Sequence, residues 1–118
     1  VTHRATLDKI AAITEYGKFL AQTPACILVF CDNDAKYYLE DGCAATQNIL
    51  VAARALGLGT CWIAGDKKPY AADVAALVNA PPSVRLIAHI AVGYPAAEPD
   101  MPSKKALTEV LHWERFRA

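Results

Sequence analysis

The chain has 118 residues, 54% of them apolar and 20% charged, which fits one globular domain able to bury roughly two-thirds of its unfolded surface. Twelve basic residues balance twelve acidic ones and no run of Lys and Arg exceeds two, so the electrostatic signature of a nucleic-acid or anionic-membrane binder is missing. No apolar run approaches the roughly twenty residues of a bilayer span and no cleavable signal pattern opens the sequence; small molecules and other subunits are the expected partners, and the cytosol the expected compartment.

The first residue is Val1 rather than methionine, which raises the expectation of further sequence upstream. Residues Ala5 to Gln22 read as one amphipathic helix with Leu7, Ile10, Ala11, Ile13, Phe19 and Leu20 on its apolar side and Thr6 as N-cap. Pro24 ends it. ACILVFCD, with Ile27, Val29 and Phe30, is a short continuous apolar run and reads as a central strand covered on both faces.

DGCAATQNILVAARAL, residues 41–56, has no wide polar face and reads as a helix buried in a core or an interface. Asp41 and Arg54 suit its two dipole ends, and Gly57 supplies a left-handed terminator. GTCWIAG then forms a short strand. Pro69 opens a short helix through Val74, Leu77 and Val78, which stops before Asn79 and the double proline at 81–82. VRLIAHIAVGYP, residues 84–95, is apolar on both alternations and reads as an interior strand. AAEPDMP reads as extended and proline-rich and opens an extended C-terminal arm over 96–118. The expected architecture is α+β: a small mixed sheet flanked by helices, a single domain over 1–118 that is incomplete as a monomer.

Cys26, Cys31, Cys43 and Cys61 include no CxxC pair and no histidine at ligand spacing, which argues against zinc. Each has apolar neighbours and reads as a buried free thiol. Gln47 and Asn48, on an apolar helix, require hydrogen-bond partners, best supplied across a helix interface. His89 reads as a satisfied core residue. His3 and His112 belong to no recognisable constellation, and neither a Ser-His-Asp arrangement nor a carboxylate pair is present, so no catalytic side chain is assigned.

DGCAATQNILVAARALGLGTCWIAG resembles the central signature of the nitroreductase family of FMN-dependent oxidoreductases. TPACILVFCD resembles the family's preceding strand, VRLIAHIAVGYPAAEP its strand ending in a GYP corner, and KKALTEVLHWERF its terminal segment. The resemblance implies a nitroreductase-like α/β sandwich, a homodimer, and a flavin lined by Trp62, Ile63, Ala64 and Gly65, with the amides of Ala64 and Gly65 nearest its N5 and O4. Such a ring needs backbone within hydrogen-bond range of its edge, which small residues permit. Lys104, with Lys105 beside it, occupies the position from which a basic residue reaches the FMN phosphate. One departure is plain: the family's early Arg-Arg-Ser-type segment has no counterpart here, and VTHRATLDKI resembles the end of the family's first strand and the helix after it.

The implied function is ping-pong hydride transfer from NAD(P)H through FMN to a nitroaromatic, quinone or related acceptor. The rival is a non-catalytic or weakly flavin-binding domain of the same fold that lacks the N-terminal FMN motif. A flavin-consuming or dehalogenating enzyme is a third expectation within the fold.

Overall fold

The computed structural model describes residues 1–98 and 100–116. Three strands, β1 (Ala25–Asp32), β2 (Gly59–Ala64) and β3 (Val84–Gly93), form an antiparallel sheet in the order β1-β3-β2. On one face lie α1 (Arg4–Ile13), a 3-10 turn (Lys18–Gln22) and α3 (Ala71–Leu77), whose Leu7, Ile10, Leu20 and Val74 meet Ile63 and Leu86 of the sheet. On the other, α2 (Tyr38–Ala55) sets Leu39, Cys43, Ile49 and Leu50 against Val29, Ile87 and Ile90. Beyond β3 the described residues carry one further helix, the short α4 (Leu107–Val110), with no buried residue. Among the described residues, no helix is long and apolar enough to cross a membrane.

The sheet is antiparallel throughout rather than mixed, and its centre is β3, not β1. β1 is apolar because helices cover both of its faces, a property that central position shares but does not require. Its outer side is partly paired, since Cys26 N–H donates to Val1 O at 2.9 Å.

The expected first helix is two pieces. Thr14 turns extended (φ −84°, ψ 122°) and its hydroxyl folds back onto Ile10 O at 2.7 Å, after which the 3-10 turn buries Leu20. A three-residue repeat satisfies nearly the same apolar spacing as an α-helix, which is why the pattern ran on. His3, not Thr6, is the N-cap residue.

α2 starts three residues earlier than its sequence pattern implies, with Glu40 and Asp41 in its first turn and Arg54 in its last. Gly57 (φ 76°) ends it as expected, with Leu58 N–H bonded to Ala53 O. Only Gly42, Thr46 and Ala53 are fully buried within the chain. Gln47, Asn48 and Val51 face solvent, so whatever satisfies or covers them is not this chain's own core. Cys26 is buried as expected, Cys31 and Cys43 are half-buried, and Cys61 is exposed, since β2 lacks an outer neighbour.

Candidate functional site

β2 is an edge of the sheet, and its register decides which backbone groups are free. Gly65 N–H donates to Ile87 O at 2.9 Å, continuing the β2–β3 pairing past Ala64. Hydrogen-bonded and non-bonded pairs alternate in an antiparallel ladder, so Ile63 and Cys61 bond to β3 while Trp62 and Ala64 turn their N–H and C=O outward. The outward carbonyl of Ala64 accepts the Tyr70 hydroxyl at 2.7 Å. Its amide faces away from the sheet, beside a side chain that is only a methyl and exposed.

The two amides proposed for a flavin edge therefore differ. That of Gly65 is committed to Ile87, and Asp66 N–H shares the same carbonyl at 3.1 Å. Gly65 is glycine for an interior reason: a Cβ there would lie 2.8 Å from Leu86 Cγ and 3.0 Å from the Ile87 carbonyl carbon and oxygen. Ile63 points its side chain into the α1/α3 core and is 4% exposed, so it can offer only backbone position. Trp62, opposite Ile90, is 37% exposed and open to a ligand or a second chain.

Behind this corner sits His89, paired with Ile63 across the ladder and 0% exposed. Neither Nδ1 nor Nε2 has a hydrogen-bond partner among the described residues, contrary to the expectation of a satisfied core histidine. Burial holds its pKa below the ordinary histidine value; the nearby carbonyls of Ile63 and Ala64 oppose this without meeting hydrogen-bond geometry. The Tyr70 ring lies 5.9 Å from the imidazole, tilted by 54°. Burial pushes the Tyr70 phenol up, with Glu15 and Tyr16 adding to the shift, so it stays a neutral donor. The sequence signal for Tyr70 was faint: a tyrosine after the proline that opens a helix, six residues beyond Ala64.

Lys104 and Lys105 are exposed on the arm and, among the described residues, have no hydrogen-bond or ion-pair partner. The chain thus gathers residues 62–65, Tyr70 and His89, and leaves the two lysines apart. At the opposite end of β2 a cleft of about 660 Å³ opens between Arg54, Leu58, Gly59 and Thr60 and the start of the arm at Pro95, Glu98 and Met101. Arg54 and Glu98, both on its wall, are paired at 3.3 Å.

The model of the nitroreductase family matches residues 3–94, the span that holds both faces of the sheet and the corner. The chain belongs to the nitroreductase family. A nitroreductase relative from Methanothermobacter thermautotrophicus, provisionally named NADH dehydrogenase/NAD(P)H nitroreductase, is 33% identical over 104 residues, covering 84% of this chain and 54% of that protein. One from Archaeoglobus fulgidus under the same name is 30% identical over 85% of this chain and 61% of its own length. The chain therefore spans little more than half of the curated relatives it matches.

Among solved nitroreductase folds, a crystal structure from Bacteroides thetaiotaomicron, provisionally named NADH dehydrogenase/NAD(P)H nitroreductase, superposes with a TM-score of 0.88. It is 34% identical, over 98% of this chain and 70% of that one. An FMN-dependent nitroreductase from Clostridium difficile superposes at 0.87 over 98% of this chain and 73% of its own, and at 22% identity attests to the fold alone.

Proposed function

We propose that this chain is the larger part of an FMN-dependent NAD(P)H oxidoreductase of the nitroreductase type, working as a cytoplasmic homodimer on a nitroaromatic, quinone or related small acceptor. One observation carries the reading: the unpaired edge of β2 presents the Ala64 amide beside a methyl side chain and a half-open Trp62. A flat heteroaromatic ring needs that combination, a backbone donor with nothing bulky in front of it.

The residues at the corner suit the ring. Ala64 would donate from its N–H, Trp62 would flank the ring and exclude water, and Ile63 and Gly65 would hold the corner against β3. Bound there, FMN would supply the centre that takes hydride from NAD(P)H and hands it to the acceptor. Lys104 and Lys105 would hold the phosphate as point charges, without the bidentate geometry of arginine. They would do so from residues 96–118 acting as an arm that reaches a second copy, the whole of 1–118 being one nitroreductase-like domain. Protein groups here position and polarise; no side chain is required as general acid or base.

Titrating FMN into the purified chain and following flavin fluorescence tests the first half of the reading. Anaerobic addition of NADH or NADPH and loss of the yellow absorbance tests the second. Binding with bleaching is the expected result. Binding without bleaching would favour the non-catalytic rival, and no binding would end the proposal.

A further inference from the structure

Ala64 is the last residue of an edge strand, where backbone pairing is weakest and the chain is about to turn. Nothing in the ladder holds its outward carbonyl, because among the described residues no strand lies beyond β2. That carbonyl is nevertheless bonded: the Tyr70 hydroxyl, from the N-cap residue of α3, reaches it at 2.7 Å. The other end of the same peptide unit, Gly65 N–H, is bonded to Ile87 O at 2.9 Å. The peptide is therefore tied from both sides, by a side chain outside and by β3 inside.

We propose that Tyr70, backed by His89, is a positioning residue that anchors the peptide after Ala64 at the free edge of β2 and so holds Ala64 in the place from which its own outward N–H meets a bound flavin ring. The proposal rests on the functional reading above for the identity of the ligand, but not for the clamp itself.

Two further observations support the pairing. Tyr70 is almost wholly buried, at 6% exposure, so its ring is held by the core while its hydroxyl reaches the Ala64 carbonyl. His89 lies behind it with both ring nitrogens unpartnered, an arrangement that costs about 1–3 kcal/mol where an aliphatic residue would pack without penalty. A polar group kept at such a place is better explained by the corner it supports than by the stability of the core. Its ring, 5.9 Å from that of Tyr70, limits where the tyrosine can swing.

Tyr70→Phe removes the hydroxyl and leaves the ring. In the flavin-free chain, hydrogen exchange read residue by residue should speed up about fivefold at Gly65 and Asp66, whose amides both close on Ile87 O beside the tied peptide, the equivalent of one lost hydrogen bond. The amides of Ile87 and Ile90 should keep their wild-type rates. His89→Leu should loosen the same two amides without lowering the thermal midpoint at pH 8. With FMN present, Tyr70→Phe should raise the dissociation constant about fivefold and shift the visible bands of the bound flavin.

Unchanged exchange at Gly65 and Asp66 in Tyr70→Phe would overturn the clamp. So would an increase spread evenly over the sheet, which would make Tyr70 a general packing residue. Should Tyr70→Phe not fold, the wild-type hydroxyl proton decides the matter: protected from exchange by NMR if the clamp exists, exchanging freely if it does not. Failure of the wild type to bind FMN would remove the functional reading while leaving the exchange result to stand or fall alone.

Discussion

At Gly65 a side chain has nowhere to go, because Leu86 and the Ile87 carbonyl occupy the place of its Cβ at 2.8–3.0 Å. Backbone cannot yield as a side-chain tip can, so Gly65→Ala should destabilise the chain by about 1–3 kcal/mol in urea unfolding. FMN affinity should fall with it, through the displaced corner rather than through a blocked approach. His89 makes a second residue-scale prediction. Its folded pKa lies below the unfolded value of 6.5 because burial disfavours the charged ring. As pH falls through 6.5, the unfolded chain takes up a proton that the folded chain refuses until lower pH. Stability is thus fully present above 6.5 and declines below it. Thermal midpoints between pH 8 and 5 should drop more steeply in wild type than in His89→Leu; parallel slopes would assign the acid sensitivity to other groups.

Among the elements, α2 depends on one close approach. A Cβ at Gly42 would stand 2.7 and 2.8 Å from two carbons of Ile87 and 3.0 Å from Cys31 Sγ, all in a packed region. Gly42→Ala gains about 1 kcal/mol of helix propensity, yet overpacking of about 1–3 kcal/mol should outweigh it. A lower urea midpoint at unchanged slope is the expected result, and a higher one would show that Ile87 can move aside. The strands were legible because β1 and β3 are continuous apolar runs bounded by Pro24, Asn33, Pro82 and Pro95. Their order was not, since apolarity reports covered faces and is blind to which edge is free. The glycine-rich corner was legible as a place, but the separate fates of the Ala64 and Gly65 amides follow from register, which a lone sequence does not state. Tyr70 escaped notice because its contribution is one hydroxyl reaching a backbone carbonyl, a contact with no spacing rule. The arm was visible as an extended segment, and Lys104→Ala tests its assigned role: FMN should lose more affinity than riboflavin, which lacks the phosphate, whereas equal losses would place Lys104 on a plain solvated surface.

For the whole molecule, the surface is too large for its mass. The chain exposes 8336 Å², against about 6,200 Å² for a compact monomer of this size, and its radius of gyration is 16.7 Å, against about 13.5 Å. The surplus of about 2,000 Å² is what one protomer of an obligate dimer contributes to its interface. Its composition agrees: Val51 on α2, Leu56 at its C-cap, and Leu107, Val110, Trp113 and Phe116 on the arm are all exposed, and aromatic residues of this kind belong in the buried centre of an interface. Arg54 and Glu98 join the root of the arm to α2 through an exposed ion pair, too weak to fix it alone. On the proposed function the arm would lie against a second copy, whose exposed α2 residues and open β2 edge would receive it. Removing residues 104–118 should convert a dimer into a monomer by light scattering and abolish FMN binding in the same step, while circular dichroism of the sheet persists. A truncated chain that stays folded as a monomer and keeps its flavin would show that neither the arm nor a second copy completes the site.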